Sequence, residues 1–252
     1  MERGLADSRE KAQALVMAGR VRVDGHAVGK AGTAVAEDAR IEVLPGPEHV
    51  GRGALKLEGA LDTFGVDPAG RVAVDVGAST GGFTEVLLAR GAIRVYAVDV
   101  GRGQLHERLR QDPRVVVRER VNARHLSAAD VPEPCGLATM DVSFISVLKV
   151  LPALRPLLAP EADAVVLVKP QFEVGRAQVG RGGLVKDPAL HADVLARVAA
   201  ASGELGYAIV GACPSPIAGT EGNREFFLHL RPEGPGLLAH ELEEAMRRVA
   251  RS

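Results

Sequence analysis

Val72-Ala-Val-Asp75-Val76-Gly77-Ala-Ser79-Thr-Gly81-Gly82-Phe83 decides how this chain of 252 residues reads. Its first five residues are apolar except Asp75, as suits a short strand buried on both faces of a parallel sheet. The glycines that follow let the backbone turn sharply and approach a ligand closely, and a helix is expected to open at about Thr84. Strand, glycine turn and helix together build ligand sites at the carboxyl ends of strands in open α/β sheets. The spacing narrows the ligand. A dinucleotide fold needs Gly-x-Gly-x-x-Gly to seat a pyrophosphate on the helix N-terminus, whereas this turn reads Gly-x-x-x-Gly-Gly behind an acidic residue. Asp99 closes the next apolar run, where a carboxylate can accept from both hydroxyls of a nucleoside ribose.

Outward from this stretch the pattern is strand, helix, strand, helix from residue 54 onward. Val95–Asp99, Leu137–Asp141 and Ala164–Val168 are further short apolar runs, which predicts an α/β, Rossmann-like domain with helices on both faces of a mostly parallel sheet. Tyr207–Val210 and Glu225–Leu230 are expected to pair antiparallel, and Leu237–Val249 to form a last amphipathic helix. The first 44 residues differ. Asp7 and Glu10 are spaced as a capping box, Ala12, Leu15 and Val16 recur at helical spacing, and Gly19 ends the pattern. Val21 and Val23 then alternate with Arg20 and Arg22, Asp24-Gly25 supplies a hairpin turn, and Ile41–Leu44 closes a small α+β module. Pro45-Gly-Pro47 interrupts regular structure, so the expected division is a module at 1–44, a linker at 45–53 and a larger domain at 54–252.

Composition excludes several classes. Hydrophobic residues make up 46% and charged residues 25%, which suits a folding chain rather than a disordered or fibrous one. Lys and Arg number 31 against 32 Asp and Glu, so a nucleic-acid partner needs local basic patches rather than a global positive field. The two cysteines, Cys135 and Cys213, make neither a metal cluster nor a disulfide framework; packed thiols in a cytoplasmic protein without a metal are expected. No apolar leader or membrane span is evident.

The glycine turn resembles the first motif of S-adenosylmethionine-dependent methyltransferases, whose ligand carries an amino acid and a sulfonium in place of a diphosphate. On that resemblance Asp75, Gly77, Ser79, Gly81, Gly82, Phe83 and Asp99 form the cofactor site. Asn122, after the third strand, stands either at the adenine or as a turn former. Four further polar residues sit at or beside strand ends: Lys56, Asp141, Lys169 and Glu225. Each has a plainer reading, as a solvated helix lysine, a helix cap, a snorkelling strand-end lysine and an exposed edge carboxylate.

Taken with their neighbours, these residues resemble the TlyA, or haemolysin A, family of ribosomal RNA 2'-O-methyltransferases, with a catalytic domain of the FtsJ type. The resemblance rests on Arg52-Gly-Ala-Leu-Lys56-Leu, the glycine turn, Asp141-Val-Ser-Phe-Ile-Ser146, Val168-Lys169-Pro-Gln-Phe-Glu173 and Gly222-Asn-Arg-Glu225-Phe-Phe227. It implies a catalytic tetrad of Lys56, Asp141, Lys169 and Glu225, with ribosomal RNA or its subunits as substrate and cytidine as target. A ribose 2'-hydroxyl is a weak acid, so its attack on a sulfonium methyl benefits from a base, for which Lys169 is the expectation. A free lysine, with a pKa of about 10.4, is mostly protonated at pH 7. Burial or a neighbouring Lys56 favours the neutral amine and the two carboxylates oppose it, a balance the sequence leaves open. The family's other name keeps a second class in view, a haemolysin-like membrane-active protein.

Arg3 through Lys11 and Gly19 through Gly25 resemble an S4 RNA-binding domain. Arg3, Arg9, Lys11, Arg20 and Arg22, joined by Arg52, are the expected phosphate contacts. Aromatics are only 3%, so RNA shape and phosphates are expected to dominate recognition over base stacking. Arg176, Arg181 and Lys186 lie in a glycine-rich loop that reads equally as an RNA-facing lid or as mobile surface. The S4-like module starts later than its family pattern, and so short a module is marginal on its own. The expectation is weaker binding to ribosomal subunits than by a chain extended at the N-terminus; a salt titration of both checks it.

Overall fold

The computed structural model of the chain describes residues 5–6, 9–17, 21–28, 30, 32–33, 35–36, 38–43, 49–219 and 222–251. It divides into two compact units, Met1–His49 and Val50–Ser252. In the first, helix α1 (Arg9–Met17) precedes three short strands, β1 (Val21–Val23), β2 (His26–Ala27) and β3 (Ile41–Val43). They form an antiparallel sheet ordered β2-β1-β3, with Asp24-Gly25 turning β1 into β2. The capping residue Asp7, the terminator Gly19 and the Pro45–Pro47 break lie outside the described residues, as does the side chain of Glu10.

The second unit begins with α2 (Gly53–Phe64), β4 (Val72–Val76), α3 (Gly82–Ala89), β5 (Arg94–Asp99), α4 (Glu107–Arg110), β6 (Val115–Glu119) and β7 (Cys135–Met140). It continues with α5 (Leu151–Leu154), β8 (Leu158–Val168), α6 (Pro170–Glu173), α7 (Pro188–Glu204), β9 (Ala208–Pro214), β10 (Phe226–Arg231) and α8 (Ala239–Arg251). The strand order is β6-β5-β4-β7-β8-β10-β9; the first five run parallel and β10 is antiparallel to both its neighbours. Order reverses at β4, so the connections that follow β4 and β7 lead in opposite directions along the sheet and leave a crevice at the carboxyl ends of these strands.

The period of two along each strand sorts its side chains between two cores. Val74, Val76, Ala138, Met140, Val166 and Val168 point into a cluster with Val194, Leu195, Val198 and Ala199 of α7. Ala73, Val95, Ala97, Leu137, Val165 and Leu167 point into a second cluster with Leu57 and Leu61 of α2 and Phe83 and Leu87 of α3. Helix α7 shows why it forms: the Asp187 carboxylate accepts from Ala189 N, Pro188 occupies the first turn, and His191, Val194, Leu195, Val198, Ala199 and Ser202 share its buried face. Cys135 and Cys213 are buried free thiols, and burial pushes each up to about 12.

Strand β8 is longer than the apolar run Ala164–Val168, because Pro160, Glu161 and Asp163 break the hydrophobic pattern of its first half. Asp163 is buried yet charged-paired: His229 Nε2, Arg71 Nη1 and Arg231 Nε donate to its carboxylate at 2.8, 2.6 and 2.8 Å. Burial alone would raise its pKa, but these three donors outweigh it and hold the carboxyl well below the usual range. Stability from a depressed carboxyl is present above the unfolded pKa and is lost as pH falls towards the folded one. Asp163→Asn is therefore expected to lower stability at pH 7 by about 3 kcal/mol, somewhat less than a fully buried pair because both arginines reach solvent. In urea unfolding the deficit should shrink steadily below about pH 4.

Candidate active site

The turn after β4 is shaped by what it cannot hold. Gly77 has a φ of +88°, and a Cβ there would run into the Asp141 carbonyl, so only glycine lets the β4 and β7 ends close on each other. The N–H groups of Gly77 and Ala78 donate to Val98 O at 2.8 and 3.0 Å. Gly81, with a φ of +98°, is backed by Leu105 and Leu109, and Gly82 packs against the start of α2. Ser79 adopts a φ of +48° without being glycine, and its N–H donates to Asp99 Oδ2 at 2.8 Å. Gly101 N donates to Asp99 Oδ1 at 2.7 Å. A carboxylate has about four acceptor positions, so Asp99 keeps room for two more donors.

Asp75 corrects an expectation. Its side chain is fully buried, accepting from Thr84 Oγ1 at 2.7 Å and Thr139 Oγ1 at 3.1 Å, and it does not reach the cleft. Burial pushes it up to about 7 against the lowering effect of both hydroxyls. It ties β4 to α3 and β7, and so acts on the turn from below. Asn122 is exposed, accepts from Arg124 N at 3.1 Å and caps the short turn Ala123–His125.

A cleft of about 540 Å³ opens over Gly77–Thr80, Gly82 and Phe83. Its opposite wall carries the four charged residues singled out by sequence. Strands β7 and β8 run side by side, and β10 meets β8 with Phe226 opposite Val168, so Asp141, Lys169 and Glu225 emerge at adjacent strand ends. Lys56 reaches them from the buried face of α2. Lys56 and Lys169 are each 8% exposed and Glu225 4%, which rules out the solvated readings. Lys56 Nζ donates to Glu225 Oε2 at 2.6 Å. Lys169 Nζ donates to Ser143 Oγ at 2.9 Å and lies 2.6 Å from Asp141 Oδ1, an ion pair without hydrogen-bond alignment. The lysines thus engage separate carboxylates, and the four formal charges cancel.

The cleft also holds residues not singled out from sequence. Phe144 is 91% exposed with a φ of +63°, and its ring lies 5.1 Å from that of Phe172. An apolar residue reads as core, and nothing in Asp-Val-Ser-Phe says that this one points outward; its positive φ turns it towards the cleft mouth. Asn223, 2% exposed, accepts from Val185 N and donates to Gly183 O, both at 2.9 Å. It fastens the end of the glycine-rich loop to the turn before Glu225, so this end of the loop is anchored. Arg181 and Lys186 are exposed there, and the Arg176 side chain lies outside the described residues. Arg52 is exposed at the cleft rim, with Nη2 donating to Ala218 O at 3.1 Å. Arg9 and Arg22 are exposed in the first unit; Arg3, Arg20 and the Lys11 side chain lie outside the described residues.

Two known families match this chain. The FtsJ-like methyltransferase pattern covers residues 49–232, and the S4 domain pattern covers residues 2–41. The 16S/23S rRNA (cytidine-2'-O)-methyltransferase TlyA of Mycobacterium tuberculosis is 51% identical over 99% of this chain and 94% of its own length. Hemolysin A of Brachyspira hyodysenteriae is 38% identical over 90% of this chain and 95% of its own. A solved structure from Streptococcus thermophilus, provisionally named a hemolysin, superposes with a TM-score of 0.77 at 39% identity, covering 99% of this chain and 93% of that one. With its S4 domain, parallel sheet and reversed last strand, the chain belongs to the FtsJ-like methyltransferases and, within them, to the TlyA or haemolysin A family.

Proposed function

We propose that the protein transfers a methyl group from S-adenosylmethionine to the ribose 2'-hydroxyl of a cytidine in ribosomal RNA. The observation that carries this reading is the pair of buried lysine–carboxylate contacts, Lys169–Asp141 and Lys56–Glu225, facing the glycine turn across one cleft. The relative in Mycobacterium tuberculosis is named for the same reaction. In the proposed division, residues 1–44 serve RNA binding, 45–53 link, and 54–252 carry out the transfer.

The turn suits S-adenosylmethionine. Gly77 and Gly82 let the turn close on Asp141 and on the start of α2, Asp99 has two acceptor positions for ribose hydroxyls, and Ser79 and Phe83 complete the wall; Asp75 and Gly81 support it from outside. When bound, this group supplies an electrophilic methyl on a sulfonium. The chain's own residues handle the nucleophile. Lys169, whose ion-paired ammonium first gives a proton to solvent, takes the 2'-hydroxyl proton as the oxygen attacks, and the ammonium so restored is held by Asp141 and Ser143. The Lys56–Glu225 pair orients the ribose from the other side, and alignment of oxygen with methyl supplies much of the acceleration. Phe144 offers a π-face at the cleft mouth, which a base can use, so stacking joins shape and phosphate contact despite the few aromatics. Phosphates meet Arg9, Arg22 and Arg52, with Arg3, Lys11 and Arg20 completing the proposed set.

The lytic alternative has no comparable support: no helix among the described residues is long and apolar enough to cross a membrane. Purified protein incubated with tritiated cofactor and ribosomal subunits from a strain lacking the gene should place label on a cytidine 2'-oxygen and leave erythrocytes intact. Label on a base, or lysis without label, overturns the proposal. Lys169→Ala should lower single-turnover transfer by about 10²–10⁴-fold while cofactor affinity stays within a few-fold. Gly77→Ala should act the other way round, weakening cofactor binding in calorimetry and costing about 1–3 kcal/mol of stability through its φ and the clash with Asp141.

A further inference from the structure

We infer that Glu173 is a positioning residue, one that locks the two loops carrying Asp141 and Lys169 into a single register; the inference rests on the methyl-transfer reading above. Those loops leave neighbouring strands, and each is short, so the Lys169–Asp141 distance depends on how they are held together beyond the sheet. Glu173 does this. It ends the four-residue helix α6 that begins directly after Lys169, and its side chain turns back to the other loop. Glu173 Oε2 accepts from Ser146 Oγ at 2.7 Å, and Oε1 accepts from Val147 N at 2.8 Å.

The partners are themselves fixed. Ser146 Oγ accepts from Leu148 N at 3.2 Å, capping the short turn Val147–Lys149, and the Glu173 carbonyl accepts from Arg197 Nη2 of α7 at 2.6 Å. Glu173 is 7% exposed, a buried carboxyl whose two oxygens are both spent on the Asp141 loop. Burial raises its pKa and the two donors oppose this, so a costly buried group is retained for the sake of its contacts. It does not line the cleft, which separates it from Ser143, Phe144 and the four charged residues. Its contacts bridge the segments from which Phe144 and Phe172 meet, so the same lock sets the cleft mouth.

The test measures turnover, substrate KM and cofactor affinity for Glu173→Ala, Glu173→Gln and Ser146→Ala. Displacement of a reacting group by about 1 Å costs on the order of 100-fold, and that loss in kcat is expected for Glu173→Ala, with RNA KM and cofactor affinity within a few-fold. Glu173→Gln keeps an acceptor for Val147 N and can donate to Ser146 Oγ, so it should recover at least about a tenth of the wild-type rate, since neutral hydrogen bonds are roughly half as strong as charged ones. Ser146→Ala, which retains the Val147 contact, should fall between. Tyr207→Phe, which removes a buried hydrogen bond to Leu151 O and touches neither the cleft lining nor Glu173, serves as a destabilised control. If Glu173→Ala does not fold, Glu173→Gln and Ser146→Ala decide. Wild-type kcat in both, or losses matched by Tyr207→Phe at equal loss of Tm, overturns the inference. Absence of transfer by the wild-type protein would instead overturn the methyl-transfer reading.

Discussion

Charge pairing is the constraint on which the cleft depends. Four ionisable side chains are taken largely out of water at the carboxyl end of one sheet, and each would be costly there alone. Placing Lys56 on Glu225 and Lys169 on Asp141 offsets that cost pair by pair. The sheet makes this possible. Asp141 and Lys169 follow β7 and β8, Glu225 precedes β10, and the antiparallel insertion of β10 between β8 and β9 brings Glu225 level with Lys169.

The other wall depends on backbone rather than charge. Asp75 is buried below the turn, Gly77 lets it touch the β7 end, and Asp99 holds Ser79 in a left-handed conformation from the β5 side. Three strands thus determine one loop, which is how a strained serine persists without unravelling. The two walls meet at Asp141: its N–H continues the sheet by donating to Val76 O, its carbonyl packs on Gly77, and its carboxylate pairs with Lys169. A single residue therefore couples the turn to the charged wall.

The haemolysin name shared by some relatives sits beside an FtsJ-like methyltransferase match, and no helix among the described residues is long and apolar enough to cross a membrane. The chain's near-neutral formal charge of −1 is compatible with an RNA substrate, because arginines at the cleft rim and in the first unit are local features that a sum conceals. The S4 match lies within the first unit and the FtsJ-like match covers most of the second.

Much of this was legible in the residues themselves. A five-residue apolar run before Gly77, its repeats at Val95 and Leu137, and the lysines and carboxylates in their motifs determined the fold class and the four charged positions. Local pattern suffices there, because strand period and glycine spacing are properties of short stretches. What only the tertiary structure decided is which side chain meets which. Asp75 and Asp99 look alike as strand-end acids, yet one is sealed under two threonines and the other is half-buried and braces the glycine turn through Ser79 N. Phe144 is apolar yet exposed; Glu173, which no sequence pattern singles out, is buried against the loop that follows β7. The first half of β8 hides behind Asp163, whose partners lie on other strands. Burial and pairing are set by neighbours across the sheet, and one sequence read along its length does not contain those distances.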